Sequence, residues 1–270
     1  MFPLTNRRST IAGFTLVETI VTMTIIGFVV IGVMPFFLQN TKYLYTSEQK
    51  LLINADIRDF TNEMVENARE ANYFVLYQAA YTRVRTDDGV TVKRDFNSSG
   101  TVNAIDRMTA GQAGEFLVFV YYEDPFFDSR FYDGNANNND ITSVRVTRMV
   151  SYWAAPNRNI PGKTALYVMD TDSFKSSPSA TSWSTPWSVT FPVTLTSSVT
   201  IESLLQPATL AYAQTSNARI VINDMRGLGP SGSYFVNYLN RSVLVRAKIL
   251  HGNQAKRVTN TYNFTITPRG

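Results

Sequence analysis

Residues Phe14 to Leu38 read FTLVETIVTMTIIGFVVIGVMPFFL. This run of 25 residues holds one charge, Glu18, and no other charged side chain follows before Lys42. As a helix it extends about 37 Å, enough to cross a hydrocarbon core of about 30 Å. A cleavable secretory signal has a shorter apolar region, about 7–15 residues, closed by a small-x-small site; no such site follows here before Gln39. Arg7 and Arg8 precede the run, whereas Lys42 and Lys50 lie well beyond it. That asymmetry predicts an N-terminus on the cytoplasmic side and a chain that crosses outward.

The whole-chain averages conceal this segment. The mean hydropathy is -0.11, which by itself describes a soluble protein. Apolar residues are 44% and charged residues 17% of 270, sufficient for a sizeable core and incompatible with wholesale disorder. There is no cysteine and one histidine, His251. Disulfide frameworks, thiolate metal sites, cysteine nucleophiles and multi-histidine sites are therefore excluded. The net charge of +4 is too small for a protein that coats nucleic acid.

Glu18 is the anomaly, because a carboxylate at membrane depth costs roughly 2.5–3.5 kcal/mol unless it is paired or reaches the interface. Its context is Gly13-Phe14-Thr15-Leu16-Val17-Glu18, after a short basic leader and before the apolar run. This resembles the type IV prepilin signature shared by pilins, type II secretion pseudopilins and competence pilins. The resemblance implies that a prepilin peptidase cuts after Gly13 and that Phe14 becomes the N-methylated first residue. It further implies that Glu18 pairs with the N-terminal amine of a neighbouring subunit during assembly. Loss of the leader removes Arg7 and Arg8 and lowers the net charge to +2, from 23 basic and 21 acidic side chains. Gly27, Gly32 and Pro35 are helix breakers within the run, at positions where the family often carries them.

The helical pattern continues beyond the membrane run. Ile53, Ile57, Phe60, Met64, Ala68, Ala71 and Val75 form a stripe that predicts packing on a sheet. Asp56, Asp59, Glu63, Glu66 and Glu70 form a ridge on another side; it reads as a solvated face, or as an electrostatic contact with a neighbouring subunit. After about residue 79 the composition turns to valine, threonine, tyrosine and phenylalanine in short runs. Residues 82–85 and 90–93 flank Thr86-Asp87-Asp88-Gly89 as a predicted hairpin. Phe116–Tyr122 is a predicted central strand, and 144–152, 164–169 and 219–223 are further strands. Residues 243–250 and 257–267 alternate as a C-terminal hairpin around His251-Gly252-Asn253-Gln254. The fold class is α+β: a leader over 1–13, an apolar transmembrane or filament-core helix over 14–38, an amphipathic continuation over 39–78, and a β-rich domain over 79–270. The stretch from Leu51 to Asn72 is similar to the helix of J-type minor pseudopilins and W-type minor pilins. Val168 departs from the arginine common there, and Glu18 argues against a K-type tip pseudopilin.

Other motifs carry less. Gly227-x-Gly229-x-x-Gly232 has dinucleotide-site spacing but leads through Pro230 into a strand-like segment, so it reads as a turn. Asp133, Asn135, Asn137, Asn139 and Asp140 echo the start of a calcium loop but lack its glycine and its terminal acid; the alternative is a solvated Asn-rich turn. From Ser173 to Ser188, 11 of 16 residues are Ser, Thr or Pro, with Trp183 and Trp187 as a binding surface or as rings folded onto the sheet. Arg241, Arg246, Lys248, Lys256 and Arg257 form a basic group; solubility and packing are preferred over DNA phosphates as its role. His251 has no triad partners in its vicinity, and Asp87-Asp88 sits in a turn.

The reading is a non-catalytic minor pilin or pseudopilin without a cofactor, calcium being the one candidate. The resemblance implies as partners the prepilin peptidase, sister subunits, the inner-membrane assembly platform and, before assembly, inner-membrane lipid. It implies a single-pass location in a bacterial inner membrane, with the C-terminal domain periplasmic, followed by a pilus or pseudopilus. The alternatives are a minor pilin for DNA uptake or adhesion and, from another class, a membrane-anchored periplasmic enzyme or binding domain.

Overall fold

Aromatic and β-branched runs interrupted by turns give the chain beyond residue 72 its strands, and the apolar run at the N-terminus gives it a helix. In the computed structural model, residues 15–85, 88–123, 144–170, 191–195, 198–205, 218–252 and 257–269 are described. The chain divides into two units, Met1–Glu48 and Gln49–Gly270. The elements, in order, are α1 (Leu16–Glu70), β1 (Tyr73–Tyr77), β2 (Arg83–Val84), β3 (Thr91–Val92), β4 (Ala113–Gly114), β5 (Phe116–Tyr122), β6 (Arg145–Pro156), β7 (Thr164–Asp170), β8 (Val193–Thr194), α2 (Ile201–Leu204), β9 (Arg219–Ile222), β10 (Met225–Gly227), β11 (Phe235–Tyr238), β12 (Ser242–His251) and β13 (Val258–Ile266). Short 3₁₀ turns lie at Ala104–Asp106 and Pro230–Gly232. The α+β layout expected from the sequence is the one observed.

Helix α1 stops at Glu70, whereas the sequence pattern runs it to residue 78. The physical reason is β1. Its five residues, YFVLY, are all buried, so this segment is apolar on both faces and pairs with β5 from Tyr73↔Val120 to Tyr77↔Phe116. Asn72 makes the change of direction: its N–H donates to the Val120 carbonyl at 3.1 Å, and its side-chain oxygen accepts from the Tyr122 N–H at 3.0 Å. Val75 therefore belongs to a strand and not to the helical stripe.

The larger sheet has the order β1-β5-β6-β7-β9, with β8 also paired to β6, and these pairs are antiparallel. Strand β5 is buried along its whole length because the sheet is covered on both sides. Phe116, Val118, Val120 and Tyr122 enter one core with Trp153, Tyr167 and Leu204. Leu117, Phe119 and Tyr121 enter the other, with Phe60 and Met64 of α1 and Val243 and Val245 of β12. Period-two alternation thus fills two cores from one continuously apolar strand. A second sheet has the order β10-β12-β11-β4, with β13 on the remaining side of β12. The C-terminal hairpin expected from the sequence is the β12–β13 pair, in register from Val243↔Ile266 to His251↔Val258. The small β2–β3 pair corresponds to the hairpin expected around Thr86–Gly89.

Candidate functional site

The N-terminal unit begins its described residues at Thr15, one residue before the helix. The Thr15 N–H and its Oγ each lie 2.9 Å from Glu18 Oε2, and the Glu18 N–H donates to Thr15 Oγ at 3.3 Å. This is the reciprocal capping box of a helix start, written in sequence as Thr-x-x-Glu. The negative carboxylate also sits in the first turn, at the positive end of the helix dipole. Glu18 therefore has a defined local partner, which the sequence reading missed although the Thr15–Glu18 spacing carries the signal.

Beyond Glu18 the apolar side chains stand uncovered in the isolated chain. Met23 is 73% exposed and Phe28 72%, and Phe36, Phe37 and Leu38 are likewise exposed. Every threonine hydroxyl in this stretch is satisfied within the helix: Thr19 Oγ donates to the Thr15 carbonyl at 2.9 Å, Thr22 to Glu18 at 2.6 Å and Thr24 to Ile20 at 2.8 Å. That arrangement removes the cost of hydroxyls in an apolar setting. The helix passes through Gly27, Gly32 and Pro35 without ending. A Cβ built on either glycine would meet nothing within 4 Å. Among the described residues this is one helix long and apolar enough to cross a membrane. Gly13 and Phe14 lie outside the described residues.

The acidic ridge of α1 is used within the chain. Asp56, Glu63 and Glu70, every seventh residue, turn towards the sheets. Asp56 Oδ2 is 2.7 Å from His251 Nε2, Glu63 Oε1 is 2.6 Å from Arg219, and Glu70 Oε2 is 3.0 Å from Arg148. Arg148 also holds Asp170 at 2.7 Å and lies 4.7 Å from the Tyr121 ring centroid. Asp59 and Glu66, between them, are exposed. His251 is thus a helix-to-strand tie and not a free turn residue.

The glycines at 227, 229 and 232 serve a backbone turn. A Cβ on Gly227 would collide with the Gly232 and Ser233 carbonyls, and Gly232 adopts φ +74° against the Arg85 guanidinium. Arg85 donates to the Ser231 carbonyl and pairs with Asp88 at 3.0 Å, while Arg83 pairs with buried Glu115 at 2.6 Å. In the basic group, Arg241, Arg246 and Arg257 are exposed and Lys248 is half-buried. Arg257 lies 3.6 Å from Asp224. Lys256, Asp87, Trp183, Trp187 and the calcium candidates Asp133, Asn135, Asn137, Asn139 and Asp140 lie outside the described residues. Among the described residues no three His, Cys, Asp or Glu side chains gather to hold a metal.

No curated protein and no solved structure matches this chain. Residues 8–34, from the second arginine of the basic pair to Met34 within the apolar run, match the family described as the prokaryotic N-terminal methylation motif. The chain therefore carries a prepilin-type N-terminal motif, which supports a type IV pilin-like precursor.

Proposed function

We propose that this chain is a non-catalytic minor pilin or pseudopilin, with the J-type and W-type minor subunits as its nearest counterparts. The observation that carries the reading is Glu18 standing within the methylation motif at the head of an exposed apolar helix. The precursor inserts with Arg7 and Arg8 in the cytoplasm. The prepilin peptidase cuts after Gly13, and the new Phe14 amine is methylated. The amine is a cation, and among the described residues the Glu18 carboxylate has the Thr15 cap as its partner. In the filament a neighbour's amine takes up the Glu18 charge, and apolar helices bury one another's side chains. In that setting an uncompensated carboxylate is strongly unfavourable, so Glu18 selects the axial register in which an amine meets it. Peptidase and assembly platform supply the chemistry and the work.

The test is Glu18→Ala expressed with its assembly system. Mass spectrometry of the processed chain should give N-methylated Phe14 at the N-terminus for both wild type and variant. Shearing and pelleting of filaments should recover the wild type and at least about tenfold less of the variant, since one unpaired buried charge is worth several kcal/mol. A mature N-terminus other than Phe14, or unimpaired incorporation of the variant, favours a permanently anchored domain and overturns the filament reading.

A further inference from the structure

The loop after β3 carries oxygen-bearing side chains at alternate positions. Asp95, Asn97, Ser99, Thr101 and Asn103 are followed by Asp106, with Gly100 and Val102 between them. Counted from Asp95, the oxygens fall at positions 1, 3, 5, 7, 9 and 12 and the glycine at 6, the ligand spacing of a twelve-residue calcium loop. The loop departs from the consensus at two places, Ser99 for Asp or Asn at position 5 and Asp106 for Glu at position 12.

The geometry follows the spacing. Gly100 has φ +82°, the left-handed turn for which position 6 is glycine. Its N–H and the Ser99 hydroxyl, the latter at 2.8 Å, both donate to Asp95 Oδ2. The other end of the loop folds onto the same centre. Asp106 Oδ1 accepts from the Asn97 amide at 2.6 Å, and Oδ2 accepts from the Asn103 N–H at 2.8 Å. The Thr101 carbonyl, at position 7, accepts from Asn103 Nδ2 at 2.9 Å and lies 2.8 Å from Ser99 Oγ, whose single proton serves either this carbonyl or Asp95. The ligand-bearing groups are thus already gathered and hydrogen-bonded to one another.

Asp95 is 6% exposed and Asp106 1%. Asp95 Oδ1 is buried and accepts no hydrogen bond, a costly state for a carboxylate oxygen. Among the described residues neither carboxylate has an ion pair. Of the nearby cations, Lys93 binds Ser98 Oγ at 2.7 Å and Arg107 binds Glu202 at 2.6 Å. Asn97, Ser99 and Asn103 form an exposed rim, which leaves a path to the buried pair.

We propose that residues 95–106 bind one calcium ion, independently of the filament reading. Asp95 and Asp106 supply the charge, and Asn97, Ser99, the Thr101 carbonyl and Asn103 supply neutral oxygens. A hard, all-oxygen set with an exposed rim suits calcium better than magnesium, which demands a rigid octahedron, or zinc, which prefers nitrogen and sulfur. With only two carboxylates the dissociation constant falls on the order of 10⁻⁴–10⁻³ M, the range of extracellular modules.

The full-length chain in detergent micelles, stripped with EDTA, is titrated with CaCl2 by calorimetry, and its thermal unfolding is followed in millimolar CaCl2 or MgCl2. One saturable calcium site per chain is expected, with a larger rise in Tm for calcium than for magnesium. Asp95→Asn, and separately Asn97→Ala on the exposed rim, should each weaken calcium binding by about tenfold or more through loss of a ligand oxygen. An Asp133→Asn, Asp140→Asn double variant should bind as the wild type does. Absence of saturable heat in the wild type, unchanged affinity in both loop variants, or loss of binding in the double variant would each overturn the assignment.

Discussion

Leu239 stands at the tip of the β11–β12 hairpin with φ +54°, followed by Asn240 at +56°. The Arg241 N–H closes the turn on the Tyr238 carbonyl at 3.2 Å. A two-residue hairpin of this hand needs left-handed backbone at both central positions, which asparagine and glycine tolerate and leucine does not. Leu239 is 65% exposed, so little packing opposes its replacement. Leu239→Asn is expected to stabilise the chain by about 1 kcal/mol, read as a higher urea midpoint; a lower midpoint would mean that the leucine contributes contacts that the turn geometry does not reveal. The same scale divides what was legible from what was not. Glu18 stood out because a lone charge in an apolar run needs a reason. Thr15 did not, although its spacing to Glu18 writes the cap. The 95–106 loop carries its signal in the spacing of its oxygens around Gly100, but no dense run of acids marks it, and only the fold shows that Asp95 and Asp106 are buried. The denser 133–140 stretch drew attention because its Asp and Asn spacing echoes the start of a calcium loop.

At the scale of elements, α1 was readable through its buried stripe. Ile53, Phe60, Met64 and Ala68 are all buried where the 3.6-residue pattern set them. Its end was not readable, because Ala71 and Val75 continue the pattern by coincidence after the chain has turned into β1. Phe60 anchors the helix, with its ring edge-on to Tyr152 at 6.4 Å and to Phe264 at 5.8 Å. Phe60→Ala removes a fully buried aromatic between the two sheets and should cost about 3–5 kcal/mol, measured by chemical denaturation. A loss near 1 kcal/mol would mean that the site collapses around the gap. The acidic ridge illustrates the limit of one-dimensional reading: periodicity located its five charges, but only the fold assigns Asp59 and Glu66 to solvent and Asp56, Glu63 and Glu70 to partners on the sheets.

At the scale of the whole molecule, one buried charge joins distant parts of the chain. Glu202 of α2 accepts from Arg107 Nε at 2.6 Å and from the Tyr77 hydroxyl at 2.8 Å. Burial pushes the Glu202 carboxyl up, and Arg107 together with Tyr77 more than offsets this, holding it below the usual carboxylate range. Burial and the charge of Glu202 push the Tyr77 phenol well above its ordinary value, so it stays a donor. A carboxylate held lower in the folded than in the unfolded state contributes stability that is complete above its unfolded pKa of about 4.3. That contribution is lost as pH falls through the lower folded value. Arg107→Met strands Glu202 without its cation and should cost about 3–5 kcal/mol at neutral pH. The variant's stability should also lose the acid-side decline attributable to Glu202, which parallel denaturation curves across the acid range would reveal. The tie between α1 and β13 spans most of the chain. Thr61 contacts Tyr262, 201 residues later in the chain. At about 5–20 residues per second, a ribosome needs roughly 10–40 s to supply that partner. Throughout that interval the stripe around Phe60 lacks its C-terminal cover, so the nascent protein must be shielded from association while its own last strand is still being synthesised.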